Sequence, residues 1–237
     1  MKKSIVVLLF LAAFIPSLFA QKTLKVWRIP SAPVIDADSS DASWRDIPWN
    51  NGFTLINQTT QKAPQETRFK AAHDNHTLYF LIEATESSPS KIRAASSGRD
   101  SNLWNDDCVE IFIDPNRDRD RFYQFIINTR GQVYDAEYLQ GGILCSKEWN
   151  SPGLKVAARV NRDSFTVEAA IPLVDLGLEN TDGRMGLNIT RESYTSGKPV
   201  LSSFVPINGG FLQPGLFAPA QLENCDLRHF AWKVRPP

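Results

Sequence analysis

Hydrophobic and polar residues alternate along many short segments of this chain, and a period of two predicts β-strands. The segment 107–114 (DCVEIFID) shows it most clearly. Successive strand residues point to opposite faces. One face then carries Asp107, Val109, Ile111 and Ile113, and the other carries Asp106, Cys108, Glu110, Phe112 and Asp114. We expect the first of these faces to lie in the core.

Further strands are predicted at regular short intervals along the chain. They cover residues 65–72, 77–84, 121–128, 132–138, 154–160, 165–171 and 185–191. Helical periodicity is nearly absent, apart from a short turn at 172–176. Many short strands separated by turn residues are typical of an all-β sandwich or barrel. The pattern therefore predicts an antiparallel β-sandwich, jelly-roll-like, in a single domain. We expect Trp44, Leu78, Phe80 and Val167 to share one core with Val109, Ile111 and Ile113.

The first twenty residues have the layout of a secretory signal peptide. Two lysines are followed by an apolar run from Ile5 to Phe14 and by a small residue at Ala20. Because the run is short for a membrane span, an uncleaved anchor is the less favoured alternative. We expect residues 1–20 to be removed and residues 21–237 to form a soluble domain, exported to the periplasm or the medium and not attached to a membrane.

Composition narrows the classes of partner. The 237 residues include 26 Lys plus Arg and 26 Asp plus Glu, so the formal net charge is zero. Without a basic cluster, neither nucleic acid nor an anionic membrane surface is an expected partner. Three cysteines, Cys108, Cys145 and Cys225, cannot form a disulfide scaffold, and whether any two of them pair is left open.

Two residues suggest binding chemistry before any family is considered. Trp104 lies in a polar loop of Asn and Asp residues, where a flat ring could stack on the C–H face of a sugar. Glu110 is a carboxylate on a strand face, where sugar hydroxyls could donate to it. The alternatives are that Trp104 folds back as a lid on the core and that Glu110 faces solvent or an internal arginine.

Several motifs resemble those of family 9 carbohydrate-binding modules. The run from Trp104 to Asp114 (WNDDCVEIFID) is similar to the family's W-x-x-D-x-V-E-I-F-I-D signature. Further similar segments follow the family's order: PVID at 33–36 with Asp41 and Trp44, AHD at 72–74 with Leu78 and Tyr79, VEAAIP at 167–172, GLNI at 186–189, and Phe211 with Pro214 and Phe217. The resemblance covers residues 32 to about 222.

This resemblance implies a non-catalytic β-sandwich that binds sugar units or chain ends of a polysaccharide or oligosaccharide. It implies an aromatic clamp formed by Trp104 and Phe211, the latter in place of the family's Trp, with Glu110 on the floor. Asn128 and Arg191 are expected along the wall. The family's ligand-binding arginine and glutamine are replaced here by Ile126 and Thr190, so the glycan is not specified.

The resemblance also implies structural calcium and no organic cofactor. Asp36, Asp38 and Asp41 are the candidate calcium ligands, because calcium prefers oxygen donors; ordinary turn formation is the alternative role. Glycoside hydrolases are possible partners of such a module.

Two other functions are less favoured. A glycoside hydrolase would need a suitably spaced carboxyl pair among strand residues such as Glu110, Glu137 and Glu168. A haem-binding sandwich of a related electron-transfer family would need Met and His ligands. After the predicted signal peptide, only Met185, His73, His76 and His229 are available.

Overall fold

The computed structural model describes residues 23–230, so the predicted signal peptide lies outside the described residues. Within this range the chain forms strands joined by 3-10 turns. The strands are β1 (Leu24–Arg28), β2 (Thr54–Leu55), β3 (Gln58–Lys62), β4 (Thr67–His73), β5 (Thr77–Thr85), β6 (Cys108–Asp114), β7 (Phe122–Asn128), β8 (Val133–Leu139), β9 (Leu144–Ser146), β10 (Lys155–Val160), β11 (Ser164–Pro172), β12 (Arg184–Ser193), β13 (Val200–Ser203) and β14 (Ala218–Leu222). The 3-10 turns are Ala42–Trp44, Pro89–Lys91, Leu103–Asn105, Gln140–Gly142, Leu173–Leu176, Pro214–Leu216 and Arg228–Phe230. The all-β prediction is confirmed.

The strands form two layers joined by β1. The first layer has the order β10-β11-β5-β4-β1, and the second has the order β14-β12-β6-β7-β8-β9. Short strands β13, β2 and β3 extend the second layer beyond β12. Residues 24–26 of β1 pair with β14, while Trp27 and Arg28 pair with β4. The two layers are therefore one continuous mixed sheet.

The prediction of a wholly antiparallel sheet is wrong at β1, which runs parallel to both of its neighbours. Parallel pairing needs a long connection between the paired strands. The 38 residues between β1 and β4 provide one, and β14 lies at the far end of the described chain. The jelly-roll description stays a prediction.

The core lies between the two layers and contains the predicted residues from both. Val109, Ile111 and Ile113 of β6 belong to one buried cluster with Leu78, Phe80 and Val167 of the first layer. Alternation along each strand explains this arrangement, because every second side chain faces the opposite layer. The β6 face predicted from sequence is confirmed.

Trp44 does not belong to this core, which corrects the prediction. It packs in a separate cluster on the outside of the first layer, with Tyr79 and Leu81. These two residues alternate with Leu78 and Phe80 along β5 and therefore face outward. The 3-10 turn that carries Trp44 covers them, and the indole Nε1 donates to Glu168 Oε1 at 2.7 Å.

The outer face of the second layer is also covered. Phe112, Phe122 and Ile126 form a third buried cluster with Phe211 and Phe217 of the loop that follows β13. Strands β6 and β7 are therefore buried on both faces. All three cysteines lie in the described range, and each is a free thiol. Within residues 23–230, no helix has the length and apolar character needed to cross a bilayer.

Candidate functional site

Two buried aspartates fix the turn that carries Trp104. Asp106 accepts hydrogen bonds from the backbone N–H groups of Ala95, at 2.9 Å, and Ser96, at 3.1 Å. Asp107 accepts from the N–H groups of Arg93, at 2.8 Å, and Tyr194, at 3.0 Å. These two carboxylates therefore hold the loop against the end of the second layer.

Trp104 and Phe211 both belong to the apolar cluster on the outer face of the second layer. Trp104 is half-buried. Its ring contacts that of Tyr134 in an edge-to-face arrangement, with ring centroids 5.6 Å apart. Phe211 is 9% exposed, and its ring centroid lies 6.4 Å from that of Phe112. Both rings thus flank one sheet face. A clamp in which they hold a ligand between them stays a prediction.

A connected set of polar side chains lies on this same face, centred on Glu110. Glu110 is 1% exposed and accepts a hydrogen bond from Gln124 Nε2 at 2.6 Å. The Tyr138 hydroxyl donates to Gln124 Oε1 at 2.7 Å. On its other side, Glu110 is hydrogen-bonded to Glu192. The Tyr194 hydroxyl lies 3.1 Å from Glu192 Oε2 and 2.7 Å from the backbone oxygen of Trp104.

Burial raises the pKa of both Glu110 and Glu192. Burial and the neighbouring Glu192 charge raise the pKa of Glu110 well above its ordinary value, although the Gln124 hydrogen bond opposes this. Burial also raises the pKa of Glu192, against the hydrogen bonds from Glu110 and Tyr194. Two close carboxylates cannot both ionise cheaply. When one of the two is protonated, the pair offers one O–H donor beside carboxylate acceptors, which matches a hydroxyl group that both donates and accepts.

Thr190 adds an unused polar group to this face. It pairs directly with Glu110 across the ladder between β6 and β12 and is fully buried. Its Oγ1 finds no hydrogen-bond partner among the described residues. A buried hydroxyl without a partner carries a desolvation cost.

Asn128 has a different role from the predicted one. It is fully buried at the turn between β7 and β8, where its Oδ1 accepts from the N–H groups of Arg130 and Gln132, both at 3.0 Å. Its Nδ2 donates to Asp106 at 3.1 Å. These bonds occupy both ends of the amide, so Asn128 stabilises the hairpin and the Trp104 loop.

Arg191 does not lie along the wall of the outer-face site, where it was predicted. Strand alternation turns Arg191 toward the inner face, whereas Thr190 and Glu192 face outward. Arg191 is 2% exposed, and its guanidinium bonds Thr85 O at 2.8 Å, Gln65 Oε1 at 2.9 Å and Glu86 Oε2 at 3.2 Å. Arg191 therefore links the two layers at one end of the core.

Asp36, Asp38 and Asp41 serve separate turns. Asp36 accepts from the N–H of Asp38, Asp38 from Ser40, and Asp41 from both Ser43 and Val34, all within 3.0 Å. Among residues 23–230, no three or more His, Cys, Asp or Glu side chains converge as metal ligands. The three carboxylates therefore do not meet as one ligand group, and calcium binding by these aspartates stays a prediction.

The described geometry does not favour glycosidase chemistry. Glu110 and Glu192 are in direct hydrogen-bond contact, whereas glycosidase carboxyl pairs stand about 5–9.5 Å apart so that a sugar bond fits between them. Glu168 is occupied by Trp44 Nε1 and the N–H groups of Asp36 and Ala37.

The haem alternative gains no support either. Met185 is buried in the core between the layers. His73 is fully buried, with its Nε2 2.9 Å from Glu223 O and its Nδ1 accepting from the Asn75 N–H. Neither side chain is available as an axial ligand.

Four members of the polar network, Gln124, Tyr138, Glu192 and Tyr194, were not predicted from the sequence. Alternation in the β7 and β12 segments places Gln124 and Glu192 on the outward face, and this was the available signal. That Gln124 and Glu192 meet Glu110 depends on the register between distant strands, which the local pattern does not contain.

Comparisons with known proteins agree with this architecture. The carbohydrate family 9 binding domain-like family model matches residues 35–201. Endo-1,4-beta-xylanase A of Thermoanaerobacterium saccharolyticum is 30% identical over 156 residues, and Exoglucanase XynX of Acetivibrio thermocellus is 31% identical over 154 residues. Each match covers 64% of this chain, and the chain spans only 12% of the length of either relative.

Solved structures share the fold at lower identity. A candidate carbohydrate-binding protein from Bacteroides uniformis superposes with a TM-score of 0.69 at 22% identity, covering 85% of this chain and 99% of that one. A family 9 module from Caldicellulosiruptor kristjanssonii in complex with cellotriose gives 0.63 at 21% identity, covering 85% and 93%. A family 9 module from the same organism with glucose gives 0.62 at 21%, covering 84% and 95%. With the family model matching well over half of its length, the chain belongs to the carbohydrate family 9 binding domain-like family.

Proposed function

We propose that this protein is a non-catalytic carbohydrate-binding module whose sugar site is the outer face of the second layer. The observation that carries the proposal is the buried Glu110–Glu192 pair beneath a face flanked by Trp104 and Phe211. Aromatic faces stack on the C–H side of a sugar ring, while fixed polar groups orient its hydroxyls. Membership of the family supports this assignment.

Solvent access indicates which members of the network would meet the sugar. Glu192 is 8% exposed and Gln124 is 7% exposed, whereas Glu110 and Thr190 lie deeper. We infer that a sugar hydroxyl bonds Glu192 or Gln124 directly. Glu110 then acts through these two residues by fixing their hydrogen-bond directions.

The substrate class is inferred from the neighbours. Family 9 modules of the same fold bind cellotriose and glucose, so we propose β-linked glucan or xylan chains or their ends as ligands. Phe211 offers a smaller ring than Trp and no indole N–H, so we expect weak binding. The expected dissociation constant is of order 0.1–1 mM, which corresponds to a binding free energy of roughly 4–5.5 kcal/mol in magnitude. Calorimetric titration with cellotriose, glucose and xylotriose tests this. If none of the three sugars gives a heat of binding at sugar concentrations above the expected dissociation constant, the proposed sugar binding is rejected.

We also propose that the protein is exported and assists a glycoside hydrolase. The matched curated relatives are a xylanase and an exoglucanase, and this chain resembles only a small part of each. Export is supported by the signal-peptide pattern of residues 1–20. N-terminal sequencing of the protein from the culture medium or periplasm tests export, with Gln21 expected as the first residue. A protein retained in the cell with Met1 intact would contradict it.

A further inference from the structure

A pocket lies on the other face of β12, at the end of the core. In the ladder between β12 and β13, Arg191 lies opposite Ser202, and Ser193 lies opposite Val200. These four side chains continue the face that carries Leu187 and Ile189 in the core. Together with Pro64 and Gln65 of the segment between β3 and β4, they line a pocket of about 160 Å³. The apolar core therefore gives way here to a polar cavity.

The charge of this pocket is balanced within the protein. Arg191 is ion-paired with Glu86 at 3.2 Å, and Glu86 also accepts from the Thr195 hydroxyl at 3.0 Å. An additional anion or cation would disturb a buried pair that is already neutral overall. The pocket is therefore suited to an uncharged ligand.

The same arginine keeps one hydrogen-bond donor unused. Its Nη1 and Nη2 bond Thr85, Gln65 and Glu86, but its buried Nε–H has no partner within the described residues. Leaving such a donor unsatisfied costs free energy. Because this nitrogen is buried, the polar groups left for a ligand are those of the other lining residues.

The remaining lining has the chemistry that a sugar requires. Four hydroxyl-bearing residues contribute to it, namely Ser193, Thr195, Ser196 and Ser202. Ala63, Pro64 and Val200 supply apolar wall. The volume equals that of about five water molecules and lies below the 300–1,000 Å³ of sites for drug-sized ligands. One sugar ring is therefore a suitable occupant, and an oligosaccharide running through the pocket is not.

We propose that this pocket binds one uncharged sugar ring, independently of the Trp104 face. The ligand class is a neutral polyol of pyranose size whose hydroxyls exchange hydrogen bonds with the serine and threonine side chains of the lining. Arg191, Thr190 and Glu192 are neighbours on β12 but serve opposite faces of the sheet. The two sites therefore share a strand without sharing a side chain.

An NMR titration with D-glucose distinguishes the two sites. We expect saturable shifts of the Val200 and Ser202 amides in the wild-type protein and equally in Trp104→Ala. Val200→Trp fills the pocket from its half-buried wall and should weaken the response at Ser202 at least tenfold. If the Val200 and Ser202 amides shift with D-glucose but the Glu110 and Thr190 amides do not, the result counts against the Trp104 site and leaves this second site standing.

A second filling variant guards against misfolding of the first. Ser202→Met fills the pocket from the adjacent strand, and near-ultraviolet circular dichroism checks that each variant is folded. The proposal is overturned if Val200 and Ser202 show no saturable shift in the wild-type protein, which means that the pocket holds only water. It is also overturned if both folded filling variants respond like the wild type, or if Trp104→Ala abolishes the response.

Discussion

Glu110 and Glu192 are hydrogen-bonded to each other although they lie on strands 82 residues apart in sequence. In the ladder between β6 and β12, Thr190 faces Glu110 and Glu192 faces Cys108, so the two glutamates are diagonal neighbours on one face. Diagonal neighbours are within reach of long side chains. Burial of this contact places a carboxyl donor and a carboxylate acceptor beneath the aromatic residues of the proposed site.

We expect the free energy of unfolding to depend on pH through Glu110. Burial raises its pKa in the folded protein, so the folded state holds this proton more tightly than the unfolded state. Stability from this group is therefore full below the ordinary glutamate range and is lost as pH rises through the raised value. Glu110→Gln cannot lose a proton, so its free energy of unfolding should fall less steeply with pH, by at most about 1.4 kcal/mol per pH unit.

Urea unfolding across that pH range measures the difference between the two proteins. Glu148→Gln changes an exposed glutamate outside the network, and its profile should follow the wild type. If Glu110→Gln shows the same pH slope as the wild type, Glu110 does not hold the shared proton.

Trp104→Ala should remove sugar binding and leave the fold largely intact. The ring is only half-buried and contacts Tyr134 edge-on, so its removal should cost less than the ~3–5 kcal/mol of a fully buried Trp. Trp49→Ala is the matched control, because Trp49 is also half-buried but lies beside Arg68 and Lys70 of the first layer. Affinity-gel retardation on soluble glucan and melting temperature should be measured together. If the wild-type protein is not retarded on the gel and Trp104→Ala greatly lowers the melting temperature, Trp104 is instead a lid on the core.

Arg191→Met should destabilise the protein by about 3–5 kcal/mol, because it leaves the fully buried Glu86 carboxylate without its partner. Adding Glu86→Gln should recover part of this loss, which a double-mutant cycle in urea would show. Arg68→Met is the matched control, since the Arg68–Glu83 pair lies on the more exposed outer face and should cost at most about 1 kcal/mol. Equal losses for the two arginines would contradict the linking role of Arg191.

Asp41→Ala should cost about 1 kcal/mol, as expected for loss of a turn-capping acceptor. Asp41 accepts from the N–H groups of Ser43, at 2.8 Å, and Val34, at 3.0 Å, and these bonds lower its pKa. Because the loss comes from hydrogen bonds, it should be the same in calcium and in EDTA. Thermal unfolding in both buffers provides the comparison, and a loss confined to the calcium buffer would identify Asp41 as a calcium ligand.

Local pattern was sufficient for the faces of the strands. Val109, Ile111 and Ile113 form a core face because alternate side chains of a strand must point the same way. The same rule applied to Leu187 and Ile189 also directs Arg191 inward, so the misplacement of this residue was avoidable. Trp44 was assigned to the wrong cluster because its turn can pack on either side of a sheet, and its sequence does not say which.

The sequence by itself determined the all-β class, the strand faces and the family resemblance, since these depend on residues close together in the chain. Only the tertiary structure decided that Glu110 meets Gln124 and Glu192, that Asp106 and Asp107 hold a loop, and that β1 pairs in parallel. Each of these depends on which strands are neighbours and in which register. Strand neighbours and register are set by the burial of apolar surface over the whole sheet, and residues far apart in sequence contribute to that burial.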